Sequence, residues 1–224
     1  MWIKICGITS VADAGIVVSA GADAIGLNFY PMSPRFVCTE QARLIADSVG
    51  SAVDIVGVFV NMPLEDMLRV VDTSGLNAVQ FHGDETTADI AAFQQERPRV
   101  AVIRALRLNE TTGSLDSAIR SLDALEEPVS GILVDAFVRG EYGGTGETVK
   151  PELIRNHAEI TSRLVLAGGL RPDNVAEIAG SIMPWGVDTA SGVEESPGRK
   201  SRELIERFVS NCRNVSVQEC SIRL

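Results

Sequence analysis

Apolar, β-rich runs recur along this chain at intervals that leave room for one helix and little else. They lie at Ile3–Cys6, Ala24–Phe29, Asp54–Val60, Ala78–His82, Val100–Leu106, Gly131–Asp135, Leu164–Ala167 and Val187–Ala190, with successive starts 21 to 33 residues apart. Each run is almost continuously apolar rather than alternating, the pattern of strands covered on both faces of a parallel sheet. Helical patterns fill the gaps. Ser10–Asp13 reads as a capping box and Gly21 as a stop. Thr39 reads as the cap of a segment carrying Ala42, Leu44, Ile45 and Val49 and closed by Gly50. Leu64, Met67, Leu68 and Val71 follow Asn61 and Pro63 at helical spacing, Pro172 opens a short helix over 174–178, and Leu204, Ile205 and Phe208 share one face of 202–209. Parallel strands need crossover connections of one hand, and eight such units close into a (β/α)8 barrel. The expectation is a single α/β domain, a TIM barrel over residues 1–213, with 214–224 as a tail that lacks periodicity. An open doubly wound sheet would carry GxGxxG after its first strand, and neither that motif nor a Walker A sequence is present.

Active sites of this fold form at the C-terminal ends of the strands. The polar or special residues there are Cys6, Asn28, Gln80, His82, Arg104, Asp135, Gly168, Gly169, Asp188, Ser191 and Gly192, with Arg35 in the loop after the second strand. Cys6 alone reads as a packing thiol, and as a base it would need a cationic neighbour to favour the thiolate. Lys4, two residues earlier, points the same way along a strand and is one candidate. Asp135 closes a fully apolar run, where a carboxylate is costly to bury without a partner. In a partly dry mouth it becomes able to donate a proton. The glycines after the seventh and eighth strands fit a phosphate site built from bare amides. Arg35 is suited to clamp a carboxylate in bidentate fashion. His82, with no matched partner in the sequence, reads as a packed or hydrogen-bonded histidine, and His157 reads as a surface residue. Gly143–Gly146 reads as a cover for the mouth or as an ordinary glycine-rich turn.

Charge bounds the partners. Twenty Lys and Arg against thirty Asp and Glu leave a net −10, which argues against nucleic-acid binding by phosphate neutralisation. A local pocket can still be positive and take an anionic small molecule. No stretch is apolar for long enough to span a bilayer, and the start, Met1–Lys4, runs into a strand instead of a leader. The four cysteines lack CxxC spacing, so neither a zinc site nor a disulfide framework is expected, and a reducing, cytoplasmic setting fits.

Six ordered segments resemble the phosphoribosylanthranilate isomerase family of tryptophan biosynthesis. They are Lys4–Gly7, Gly26–Phe29 with Ser33–Arg35, Val79–Gly83, Leu133–Ala136 with Gly143–Gly146, Leu166–Leu170, and Gly186–Glu194. The resemblance implies the (β/α)8 barrel and an Amadori rearrangement that needs no cofactor and no metal. It implies Asp135 as general acid, Cys6 as general base and Arg35 on the anthranilate carboxylate. The glycines Gly168, Gly169 and Gly192 would hold the phosphate with Ser191 through amides, Gln80, His82, Gly143, Gly144 and Asp188 would be further substrate contacts, and the substrate is a phosphorylated small molecule. Two segments depart from the family pattern: Glu147–Lys150 stands where an aromatic and Asp-Trp are common, and Thr189-Ala190 where Val-Ser is common. Two other readings remain open: a sister isomerase of histidine biosynthesis, which uses aspartate at the position of Cys6, and a barrel that binds a sugar phosphate without turning it over. Oligomeric state is not legible.

Overall fold

The computed structural model describes residues 1–108, 115–136 and 162–222. Eight parallel strands close into a barrel in chain order. They are β1 (Trp2–Cys6), β2 (Ala24–Asn28), β3 (Asp54–Phe59), β4 (Ala78–Phe81), β5 (Ala101–Leu108), β6 (Gly131–Ala136), β7 (Leu164–Leu166) and β8 (Gly186–Thr189). Each lies within two residues of a run legible in the sequence. The described helices are α1 (Val11–Ala20), α2 (Thr39–Val49), α3 (Leu64–Ser74), α4 (Thr87–Glu96), α5 (Leu115–Asp123), α6 (Val175–Ile182) and α7 (Arg202–Ile222).

Alternation along each strand splits the core in two. Outward residues such as Ile3, Ile5, Ile25 and Val79 pack under the helices. Inward residues Ala24, Val56, Ala78, Ile103, Leu133 and Val165 fill the barrel itself. Lys4 and Cys6 take the inward phase on β1, so the polar part of the interior stands above an apolar floor. The seam closes by the register Lys4↔Asp188 between β1 and β8 and by Trp2 stacked on Trp185 at 5.0 Å between centroids.

Several local details differ from the sequence reading. Cys38, not Thr39, is the N-cap of α2, and it makes no side-chain capping bond. Ser10 accepts from the Asp13 amide, half of the expected box; the reciprocal pair belongs to Thr86 and Asp89 at α4. The helix α7 does not stop near Arg213. Val209, Cys212 and Val215 recur at three-residue spacing and are all buried, which carries the helix through Asn214. A small antiparallel hairpin, β9 (Glu194–Ser196) with β10 (Arg199–Lys200), follows β8. Strands of two or three residues are too short for a periodic signal.

Candidate active site

Cys6 is the last residue of β1 and Asp135 the penultimate residue of β6. Both line one cavity at the C-terminal mouth, about 740 Å³ including its open side. Asn28, Arg35, Gln80, His82 and Asp188 share its wall, as do Gly168, Gly169, Ser191 and Gly192. The closed barrel thus gathers strand ends that lie far apart in the chain. Gly143, Gly144 and His157 lie outside the described residues.

Around the thiol the environment pulls in two directions. Burial, with Asp188 behind it, pushes the Cys6 thiol above its ordinary value, while the Lys4 ammonium beside it, and Lys200 more weakly, pull the other way; burial wins. Lys4 is fully buried and donates to Asp188 Oδ1 at 2.9 Å. Burial opposes its charge, but Asp188 and the neighbouring sulfur outweigh burial and hold its pKa high. Asp188 is therefore the counter-ion of Lys4 while also lining the cavity, where it was expected among the substrate contacts. Gly26 makes this crowding feasible. A Cβ there would come within 2.7 Å of Cys6 Sγ and 3.1 Å of Lys4 Cε.

Across the mouth, Gln80 Nε2 lies 2.6 Å from His82 Nδ1, and His82 Nε2 lies 3.8 Å from Asp135 Oδ2. With the amide donating, the imidazole proton sits on Nε2 and faces the carboxylate. His82 is thus hydrogen-bonded, as the sequence reading has it. Gln80 is buried, and its Oε1 has no hydrogen-bond partner.

Arg35 lines the cavity, but its fork is already engaged. Nε and Nη2 donate to Glu194 at 2.8 and 2.7 Å, and this bonding raises its pKa. Among the described residues, the Nη1 end and the second Nη2 proton remain uncommitted, so one edge of the guanidinium is left for a carboxylate. Asn28 holds the loop that delivers Arg35: its Oδ1 accepts from Tyr30 N and its Nδ2 donates to Ser33 Oγ. Arg104 takes no part in the described wall. It donates to Glu85 and to the carbonyls of Phe81 and Gly83.

After β7, Gly168 and Gly169 adopt φ of 86° and 60°, a successive pair that only glycine adopts without strain. After β8, a 3₁₀ turn spans Ser191–Val193. Here Gly192 is needed for space: a Cβ would stand 1.9 Å from Leu170 O. The Thr189 hydroxyl, in the departure from the family pattern, donates to that same carbonyl at 2.7 Å. Glu194 and Lys200 were missed by sequence reasoning. Lys200 Nζ donates to Glu194 Oε1 and to Ala190 O, each at 2.8 Å. Two charges six residues apart in a Pro-Gly segment carried no signal that they were buried together.

Fold and mouth together are those of a (β/α)8 barrel whose strand ends bring a thiol and a carboxylate to one cavity. A family model described as N-(5'phosphoribosyl)anthranilate (PRA) isomerase matches residues 3–211. The N-(5'-phosphoribosyl)anthranilate isomerase of Rubrobacter xylanophilus is 42% identical over 208 residues, 93% of this chain and 97% of that protein. The crystal structure of phosphoribosyl anthranilate isomerase from Thermotoga maritima superimposes with a TM-score of 0.83 at 38% identity, over 96% of this chain and 99% of that one. A further isomerase structure, in complex with reduced 1-(o-carboxyphenylamino)-1-deoxyribulose 5-phosphate, is 36% identical with a TM-score of 0.80, over 96% and 99%. The chain belongs to the phosphoribosylanthranilate isomerase family.

Proposed function

We propose that Asp135 and Cys6 divide the acid–base work of the family's reaction in this chain. The reaction converts N-(5'-phosphoribosyl)anthranilate into 1-(2-carboxyphenylamino)-1-deoxyribulose 5-phosphate. Asp135 protonates the furanose ring oxygen, which opens the aminosugar to an imine. Cys6, as thiolate, removes the proton from C2 to give an enolamine, which tautomerises to the ketone. His82 Nε2, held by Gln80, orients the Asp135 carboxylate. Lys4 supplies the charge that favours the thiolate once substrate excludes water.

Arg35 meets the anthranilate carboxylate through the edge that Glu194 leaves open. The amides around Gly168–Gly169 and Ser191–Gly192 take the phosphate. Fixing both ends of one substrate supplies much of the rate. The observation that carries this reading is that sulfur and carboxylate line the same cavity between those two ends. Free thiols at Cys6, Cys38 and Cys212 suit a reducing compartment such as the cytosol.

The test is an assay on phosphoribosylanthranilate, followed by loss of its fluorescence. Cys6→Ser and Asp135→Asn should each lower kcat by about 10²–10⁴-fold. Affinity for the reduced product analogue should stay within a few-fold in both. Full turnover by either variant would remove that residue from the chemistry.

A further inference from the structure

We propose that Glu194 and Lys200 act as a brace that sets the two substrate anchors at a fixed separation. The proposal rests on the reading of Arg35 as the carboxylate anchor and of the loop from Ala190 to Gly192 as part of the phosphate anchor. Glu194 grips Arg35 with both oxygens: Oε1 accepts from Nε and Oε2 from Nη2. The same Oε1 accepts from Lys200 Nζ at 2.8 Å. Lys200 in turn donates to Ala190 O at 2.8 Å, the carbonyl immediately before Ser191 and Gly192. A continuous line of charge-assisted bonds therefore runs from the guanidinium to the phosphate loop.

Burial makes this line stiff and costly to break. The side chains of Lys200 and Glu194 are 0% and 4% exposed, and Arg35 is 13% exposed on its side chain. Losing Glu194 leaves two buried cations without a counter-ion, and losing either cation leaves Glu194 with a single partner. Charge adds a second reason. Two cations against one carboxylate leave one net positive charge beneath the mouth, which favours an anionic substrate without neutralising it. The hairpin that the sequence did not announce exists to place these two residues. β9 begins at Glu194 and β10 ends at Lys200, with Lys200↔Glu194 as paired positions.

The brace is a positioning device, so its test separates binding at each end. Anthranilate probes the carboxylate anchor, and ribose 5-phosphate probes the phosphate anchor. Affinity for each is measured on the intact chain well below its melting temperature. Arg35→Ala should weaken anthranilate and spare ribose 5-phosphate. Lys200→Met should weaken both, each by about tenfold. Glu194→Gln, nearly isosteric, should weaken anthranilate alone, because Lys200 keeps its bond to Ala190 O. In the double variant Arg35→Ala, Lys200→Met, anthranilate should bind no worse than in Arg35→Ala alone, since Lys200 acts on that end only through Arg35. A general structural lesion would instead add to the loss. With true substrate, Lys200→Met should raise KM more than it lowers kcat.

The brace is overturned if Lys200→Met spares either probe, if Glu194→Gln weakens ribose 5-phosphate as much as Lys200→Met does, or if the two anthranilate losses add in the double variant. Should Lys200→Met not fold, Glu194→Gln decides alone: anthranilate weakened with ribose 5-phosphate spared supports the brace, and any other pattern rejects it. If Arg35→Ala leaves anthranilate binding untouched, the carboxylate anchor itself is misassigned and the brace falls with it.

Discussion

At Cys6 two opposing influences meet on one sulfur. Burial favours the neutral thiol, and Lys4 favours the thiolate. Because the base works only when deprotonated and its pKa lies above the ordinary 9.0, kcat/KM should climb from neutral pH into the alkaline range. A flat profile across that range would exclude Cys6 as the base of the free enzyme. Lys4→Met should push the thiol still higher and slow its alkylation by iodoacetamide. It should also destabilise the fold by about 3–5 kcal/mol in urea, because Asp188 is left buried and unpaired. Adding Asp188→Leu should restore much of that stability. At this scale the sequence was partly readable. Cys6 and Asp135 could be singled out because each ends an apolar run. Lys4 could be placed beside Cys6 by strand alternation, whereas its pairing with Asp188 depends on the closure of β1 against β8.

Elements set how much room the chemistry has. The turn after β8 is packed so closely against Leu170 that Gly192→Ala has nowhere to put a methyl group. Both nearest atoms, Leu170 O and Thr189 Oγ1, are held by their mutual hydrogen bond and cannot yield. The substitution should cost about 1–3 kcal/mol and weaken ribose 5-phosphate more than anthranilate. Equal loss of both would mean the turn does not belong to one end of the site.

The last helix, α7, carries a different sensitivity. Burial pushes the Cys212 thiol up to about 12 from 9.0. A folded-state pKa above the unfolded one means the stability is fully present below pH 9 and drains away as pH rises toward 12. Chemical denaturation should show that decline at about 1.4 kcal/mol per pH unit per thiol, and Cys212→Ala should flatten it relative to the parent. Eight strands and most helices were legible because each repeats its apolar spacing over several residues. The β9–β10 hairpin and the Cys38 cap were not: one is too short to show a period, and the other uses a residue with no capping preference.

The whole molecule is held at its seam. Arg213 on α7 donates to Met1 O, Gly21 O and both oxygens of Asp23, at 2.7 to 2.9 Å, and Asp23 accepts from the Ile3 amide. The last helix thus grips the first strand from below. Arg213→Ala should lower stability by about 1 kcal/mol, a modest figure because the group is 41% exposed and screened. Turnover at a temperature where the fold persists should be unchanged, since the contact lies at the end opposite the mouth. A drop in kcat without a drop in melting temperature would contradict that separation. The barrel as a whole could be inferred from alternation of strand and helix, but the buried ion pairs could not, because each joins residues far apart in the chain or hidden in a tight hairpin.

The pairing of Trp2–Cys6 with Gly186–Thr189 has a consequence for biosynthesis. β1, which carries Cys6, is made before the other seven barrel strands, yet it finds its second neighbour only once β8 has followed. Until then the growing sheet presents two raw borders, each able to recruit a foreign strand. Catalytic competence should therefore arrive abruptly, once β8 has been made and has closed on β1, instead of accumulating as translation proceeds.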